Sequence, residues 1–271
     1  MIAQKKVVII GAGVGGITTA VLLAQKGYNV EVYEKNNSPG GRCGQIIRDG
    51  HRFDLGATIL LMPSLYRMVF SKLGIDLDSE LQTISLEPVY KLFFNNGLEF
   101  NFTRNQEEMK TQLESIEPGS FKKYQQYIKK GYTFFNLAMK DLLIKNYYNL
   151  FQFVNFKSFL LLLKLKSWKK HSNYIRRFFK DEHLQMAFTF QNIYVGQNPF
   201  SSPAFFAMLP GAEIKEGALF PKGGMHGIVE KLLETGTKLG VKFQYNKPVK
   251  QIITNGAKAK GIILEGETVI N

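Results

Sequence analysis

Lys5 and Lys6 precede four consecutive apolar β-branched residues, Val7 to Ile10. A run this short, with no polar alternation, predicts a strand covered on both faces, as in a parallel sheet. From Val14 to Gln25 the apolar period becomes helical. Ile17, Ala20, Val21 and Ala24 share one face, and Gly27 closes the helix. Val30 to Tyr33 then predicts a second strand. Leu60 to Leu73 reads as a helix with Pro63-Ser64 near its start and Gly74 at its end. In Val89 to Phe102, Leu98, Phe100 and Phe102 alternate with Glu99 and Asn101. This is a hairpin, in which Asn96-Gly97 is expected to supply both positive-φ positions of a type I′ turn. Thr103 to Ile116 predicts a polar helix stopped by Glu117-Pro118-Gly119, with Ser120 capping the next one. Near the end come a helix from His226 to Leu239, a strand from Lys242 to Tyr245 and a continuation of that sheet from Val249 to Ile253. Gly261 to Leu264 and Thr268 to Ile270 complete the strand pattern, after turns at Asn255-Gly256 and Glu265-Gly266.

The link between the first strand and helix carries chemistry. Gly11, Gly13 and Gly16 stand at G-x-G-x-x-G spacing, and Glu34 ends the second strand 23 residues after Gly11. Gly11 permits a tight turn, Gly13 lets backbone approach a pyrophosphate, and Gly16 lets helix and strand pack closely. An acid at Glu34 suits a ribose 2′-hydroxyl. The next polar turn holds Pro39, Gly40, Gly41 and Arg42. An arginine fork there suits phosphate oxygens, although a solvated surface turn has the same composition. Asp49-Gly50 predicts a turn, and Phe53 to Thr58 leads into a further glycine-containing stretch. Cys43, beside Arg42, is expected to have a lowered thiol pKa. His226 lies in the loop Pro221 to His226 as a lone histidine, a structural more than a catalytic sign.

Composition narrows the class. The chain has 271 residues, enough for one large or two ordinary domains. A single cysteine excludes an internal disulfide, and with four histidines lacking metal-ligand spacing no metal site is expected. The apolar N-terminal stretch lacks a small-residue cleavage site, so it is not expected to be a signal peptide, and an intracellular, cytoplasmic protein is expected. The net charge of +13 is concentrated: residues 122–180 hold fourteen Lys or Arg against the one acid Asp141. There the bases interleave with Tyr124, Tyr127, Tyr132, Phe134, Phe135, Tyr147, Tyr148, Phe151, Phe153, Phe156, Phe159 and Trp168. The apolar run Phe159 to Leu163 is far shorter than the roughly 20 residues that span a bilayer. Three readings stay open: an interfacial surface on an anionic membrane, ordinary helices with a solvated basic face, and stacking on single-stranded nucleic acid, the last being the least expected.

Taken together, the motifs GAGVGG (Gly11–Gly16), VEVYEKNNSPGGRCG (Val30–Gly44), GHRFDLGATILLMPSLYRMVFSKLG (Gly50–Gly74), LESIEPGS (Leu113–Ser120), QNIYVGQNPFSSPA (Gln191–Ala204) and FPKGGMHGI (Phe220–Ile228) resemble the FAD-dependent carotenoid desaturases. These are the phytoene and dehydrosqualene desaturases of the amine-oxidase-like flavoprotein superfamily. The resemblance covers nearly the whole chain but only about the first half of the family's usual length.

The resemblance implies an α/β fold: a discontinuous Rossmann-like FAD-binding domain with an inserted α+β substrate and membrane-associating domain. Expected boundaries are 1–85, 86–214 and 215–271, with the chain truncated in its last strand-like run. It further implies FAD held by Gly11, Gly13, Gly15 and Gly16 at the pyrophosphate, with Glu34 on the adenosine ribose. Gly40, Gly41 and Arg42 would lie along the pyrophosphate, Gly56 and Ala57 against the flavin, and the backbone of Val249 on the adenine. No catalytic acid or base is identified. The implied reaction takes a hydride from an allylic position of an apolar polyene, with oxygen or a quinone as final acceptor. A second chain supplying the missing half is a possible partner. The alternatives are a non-catalytic remnant that binds nucleotide or membrane, and another flavin oxidase or polyene saturase of the superfamily.

Overall fold

The computed structural model describes residues 5–271, which form two compact units, 5–84 with 219–271 and 85–218. In the first unit, β1 (Lys6–Ile10), α1 (Val14–Gln25) and β2 (Asn29–Tyr33) form a β-α-β start to a parallel sheet in which Val8 stands opposite Glu31. The hairpin β3 (Gln45–Arg48) and β4 (His51–Asp54) turns at Asp49 and Gly50, whose φ values are 50° and 76°. β5 (Leu60–Leu61), α2 (Pro63–Lys72), α3 (Leu77–Glu80) and β6 (Thr83–Ser85) follow.

The second unit starts with the hairpin β7 (Tyr90–Phe93) and β8 (Glu99–Phe102), then α4 (Gln106–Ile116) and α5 (Ser120–Ala138). A π-helical turn, Met139–Leu143, precedes the short α6 (Leu150–Phe153) and α7 (Phe156–Lys164). After them come α8 (His171–Ile175), α9 (Glu182–Ala187) and α10 (Met208–Glu216). The unit is built on aromatic packing. Tyr124 and Tyr127 of α5 are buried with Phe100, Phe102, Tyr174, Phe179 and Phe188, and the rings of Phe179 and Phe188 stack 5.0 Å apart. Each such side chain contributes about 1.5–3 kcal/mol on burial.

The chain returns to the first unit through β9 (Ala218–Pro221), α11 (Gly227–Lys238) and β10 (Lys242–Gln244), then β11 (Val249–Asn255), β12 (Lys258–Leu264) and β13 (Val269–Ile270). β10 joins the parallel sheet beside β2, giving the order β1-β2-β10. Ile17, Ala20 and Val21 of α1 share one core with Val30, Val32, Val229 and Leu232. β5, β9 and β6 form a second small sheet in the order β5-β9-β6.

Several expectations are corrected. Leu60 and Leu61 belong to a strand, and the helix begins only at Pro63, whose ring fits the first helical position. In the β7–β8 loop only Gly97 has positive φ, at 82°. The Gly97 amide donates to the Phe94 carbonyl and the Phe94 amide to Leu98, a longer turn with a glycine bulge in place of type I′. Asn105 caps α4, so its helix starts later than Thr103. Ser120 does not cap α5; its hydroxyl donates to the Leu113 carbonyl, and Gly119, with φ 81°, is the cap. β11 does not extend the parallel sheet. It pairs with β12 in a separate antiparallel sheet, because the Asn255–Lys258 connection folds it directly onto its successor.

Candidate functional site

The first unit brings three glycine loops together at the N-terminus of α1. Gly11, with φ 97°, turns the chain out of β1 while its amide donates to the Tyr33 carbonyl over 2.8 Å. A Cβ on Gly16 would lie 2.1 Å from the Gly11 carbonyl oxygen, so glycine there is a packing demand. Gly13 differs: its φ of −75° is ordinary, and a Cβ would meet nothing within 4 Å. The open space beside it lies at a helix end with no side-chain cap and no acid in the first turn. Unpaired amides and the positive end of the helix dipole therefore face that space, a favourable setting for an anion.

Glu34 is buried to 7 % exposure. One carboxylate oxygen accepts the Ala12 amide at 2.8 Å and the other the Asn36 amide at 2.9 Å. Each oxygen retains lone-pair capacity for a further donor, so a diol can be held without displacing either amide. Gly40 donates its amide to the Ala12 carbonyl and forms a parallel bridge with Gly13. Gly41, with φ 55°, comes so close that its Cβ would lie 3.4 Å from the Gly13 Cα. Arg42, in the 3-10 turn Gly41–Cys43, is exposed and has no ion-pair partner among the described residues. Gly56 fits under that turn, since a Cβ would lie 2.2 Å from the Arg42 carbonyl oxygen.

The structure thus gathers Gly11, Gly13, Gly15, Gly16, Glu34, Gly40, Gly41, Arg42 and Gly56, with exposed Ala57 following Gly56. Val249 stands on the other sheet and is linked to this group through packing with Tyr33, Ile262 and Leu264. A cavity of about 690 Å³ lies beside the loops, lined by residues that include Asn37, Pro39, Gly41, Ile46, Leu55 and His226.

One residue with a clear role, Asp54, was not recognised from sequence. Asp54 accepts the Met225 amide at 2.7 Å and the His226 amide at 3.2 Å, and a Cβ on Gly224 would strike its carboxylate at 2.5 Å. It therefore ties the turn that leads into α11 to the β3–β4 hairpin. No local pattern marks it, because the amides it accepts from lie more than 170 residues along the chain. His226 lies close to the Cys43 carbonyl, 2.9 Å from Nδ1. A carbonyl only accepts, so Nδ1 carries the proton, and the ring serves as a structural tie between the loops. The expectation for Cys43 is reversed. Burial, and then the Asp54 charge, push its thiol up instead of down, and its Sγ faces the Met225 carbonyl at 3.5 Å.

Among the described residues no group of His, Cys, Asp and Glu is placed to hold a metal. The residues fit a dinucleotide cofactor. A buried carboxylate with spare acceptor capacity, an uncapped helix end and a glycine whose Cβ direction is empty are what adenosine ribose and pyrophosphate need.

Comparison with known proteins gives the same direction. Residues 14–269 match the profile of the flavin containing amine oxidoreductases. The chain is 35 % identical over 266 residues to a zeta-carotene-forming phytoene desaturase of Myxococcus xanthus, covering 98 % of this chain and 52 % of that one. It is 34 % identical to a phytoene desaturase of Neurospora crassa, covering 98 % and 47 %. For a 4,4'-diapophytoene desaturase (4,4'-diaponeurosporene-forming) of Staphylococcus aureus the identity is 32 %, covering 92 % and 49 %. The chain therefore spans about half the length of the curated relatives it matches. Among solved structures, a redesigned putrescine oxidase superposes with TM-score 0.64 at 17 % identity, over 97 % of this chain and 55 % of that one. An oxidoreductase from Methanosarcina mazei gives 0.63 at 18 %, over 98 % and 57 %.

Proposed function

The chain belongs to the flavin containing amine oxidoreductase family, and we propose that it is the FAD-binding and substrate-facing part of a carotenoid-type desaturase. The observation that carries this reading is the pairing of the buried Glu34 carboxylate with the open, uncapped helix end at Gly13. The substrate class, an apolar polyene, rests on the names of the relatives.

In this reading Glu34 accepts the adenosine ribose hydroxyls, and a carboxylate there disfavours a 2′-phosphate. Gly11, Gly13, Gly15 and Gly16 line the pyrophosphate with backbone. Gly40 and Gly41 follow it from the second loop, and the Arg42 fork offsets its charge. Gly56 and Ala57 lie against the flavin ring, and the Val249 backbone faces the adenine. FAD, when bound, supplies the acceptor for a hydride leaving an allylic carbon, while a proton departs from the neighbouring carbon and a C=C bond forms. Oxygen or a quinone is the proposed final electron acceptor. Asp54 and His226 hold the loops in position and touch no reacting atom in this scheme.

The two units are proposed to be a discontinuous FAD-binding domain, 1–85 with 215–271, and an inserted substrate domain, 86–214. A peripheral position on an anionic membrane is proposed from the second unit. Tyr148, Phe151 and Phe156 are 82 %, 86 % and 75 % exposed, and Lys145, Lys157 and Lys164 stand among them. No described helix is long and apolar enough to cross a membrane. The polypeptide equivalent to the relatives' other half is proposed to complete the flavin site, from a second chain where it is not joined to this one. Because the chain spans half of its relatives, a second reading is a nucleotide- and membrane-binding protein without turnover.

Expression of the 271-residue chain tests the reading directly. Co-purifying flavin that is lost in Glu34→Gln, and bleached anaerobically by an apolar polyene, is the expected result. A flavin-free product sinks the self-sufficient enzyme, and bound flavin that no polyene bleaches leaves the turnover-free reading.

A further inference from the structure

The second unit contains a group of cations without an ion-pair partner among the described residues. Lys166 holds its Nζ 5.1 Å from the centre of the Tyr174 ring, and Lys130 holds its Nζ 5.5 Å from that of Phe178. The two rings are themselves 5.3 Å apart, edge to face, so both ammonium groups are seated on one aromatic ledge. Lys169 and Arg177 lie near enough for their charges to act on Lys166. Burial, followed by the charges of Lys130, Arg177 and Lys169, holds the Lys166 ammonium below the usual lysine range. No carboxylate pairs with any of the four among the described residues. Lys166 also has φ 54°, a conformation uncommon for a side chain of this size.

Two hydroxyls at the same place lack partners. Tyr174 is 1 % exposed, and its OH, like the Oγ of Ser167, is buried without a hydrogen bond. Three cations acting on Lys166, plus two unanswered hydroxyl donors, cost stability unless an anion with several acceptor oxygens occupies the site. A phosphate group has that chemistry: charge, and oxygens enough for both lysines, a guanidinium and a hydroxyl.

We propose that Lys130, Lys166, Lys169 and Arg177, with the Ser167 and Tyr174 hydroxyls, form a phosphate site that takes the headgroup of an anionic lipid. The choice of lipid over soluble phosphate follows from the neighbouring chain. α7 leads into the site with Phe156, Phe159 and Leu163 exposed, and Trp168, 61 % exposed, lies between Ser167 and Lys169. Acyl chains have apolar side chains to meet where the phosphate has its cations. The identity of the source thus rests on the membrane reading proposed above, whereas the phosphate site does not.

Trp168 is the only tryptophan of the chain, so its emission reports on the site. The full chain is titrated with vesicles of about 30 mol % phosphatidylglycerol in phosphatidylcholine, with pure phosphatidylcholine vesicles, and with inorganic phosphate against chloride at equal ionic strength. Each lost contact to an anionic surface lowers partition several-fold. The variant K166Q/K169Q/R177Q is therefore expected to lose on the order of a hundred-fold on phosphatidylglycerol. A control that removes equal charge elsewhere, K250Q/K258Q/K260Q, is expected to lose far less. Equal losses in the two variants overturn the site, because they report net charge alone. Saturable phosphate binding that displaces the vesicles keeps the site but overturns the lipid source. Wild-type protein that ignores both vesicles defeats the membrane reading, and the phosphate titration then decides the site: no saturable Trp168 response overturns it. Circular dichroism checks the fold, which loses only half-buried or exposed cations.

Discussion

Gly13 and Gly16 are the same residue type three positions apart, yet they are glycine for different reasons. At Gly16 a Cβ would lie 2.1 Å from backbone, whereas at Gly13 the conformation is ordinary and the space is empty. Gly16→Ala is therefore expected to destabilise the first unit by about 1–3 kcal/mol, the usual range for overpacking, read as a lowered urea midpoint. Gly13→Val is expected to keep stability within about 1 kcal/mol while retained flavin falls at least tenfold. A Gly13→Val protein that keeps its flavin would refute the placement of the pyrophosphate. Titration offers a second residue-scale test. Burial raises the Glu213 carboxyl to about 7 from an ordinary 4.5. It lies against the hydroxyls of Tyr194 at 2.9 Å and Tyr90 at 3.3 Å. The folded state keeps its proton where the unfolded chain has lost it, so this stability is full below pH 4.5 and lost as pH rises through 7. About 3 kcal/mol is involved. Relative to Glu213→Gln, the wild type should thus lose urea resistance between about pH 4.5 and 7. His171 acts in the opposite sense. Burial lowers it to about 4 from 6.5, so the unfolded chain takes the proton first and acidification through that window costs stability. The Glu213→Gln variant should show that acid-side loss unmasked.

Elements differ in how far local pattern decides them. β1, α1 and β2 were legible because one short apolar run, one helical face and one acid at fixed spacing are all local signals, and the structure returns α1 over Val14–Gln25 as read. β3 and β4 were missed apart from their turn: their residues are exposed throughout β4, so no hydrophobic alternation marks them. The aromatic-basic stretch, for which the sequence leaves three readings open, divides in the structure. Tyr124, Tyr127, Phe134 and Phe135 are core residues of α5, while Tyr148, Phe151 and Phe156 are exposed. Composition cannot separate these, since both parts mix lysine with aromatics; only the helical period of α5 distinguishes them. The candidate site was half legible in the same sense. Glu34 follows from spacing along the chain, whereas Asp54 acts on amides more than 170 residues away in sequence, at Met225 and His226, which no local pattern reveals. The α5–α10 crossing was equally hidden. Gly131 and Gly211 meet there: a Cβ on Gly131 would lie 2.2 Å from the Ala207 carbonyl, and one on Gly211 would lie 2.5 Å from the Tyr132 amide. Both faces are backbone and cannot yield cheaply. Gly131→Ala should lower the stability of the second unit by about 1–3 kcal/mol or more, visible as a separate early transition in thermal unfolding. A variant as stable as the wild type would mean that the two helices do not cross this closely.

At the scale of the whole chain, the net charge coincides with a run of exposed apolar side chains in one stretch, and this makes the two contributions to membrane binding separable. Residues 122–180 carry all of the net +13, while Leu150, Phe151, Phe156 and Phe159, all within the same stretch, are more than half exposed. Apolar insertion is insensitive to salt, whereas attraction to anionic headgroups falls within a Debye length of about 8 Å at physiological ionic strength. Raising salt to about 0.5 M should therefore remove most of the preference for anionic over neutral vesicles and leave a residual affinity for both. Replacing Leu150, Phe151, Phe156 and Phe159 by serine should remove that residue, since each buried side chain of this kind contributes about 1.5–3 kcal/mol. These side chains contact little in the folded chain, so the fold should survive the change. Cosedimentation with vesicles, at low and high salt, reads both effects in one experiment. If the serine variant binds neutral vesicles as well as the wild type, the exposed aromatics do not meet lipid, and the second unit's basic stretch is a solvated face after all.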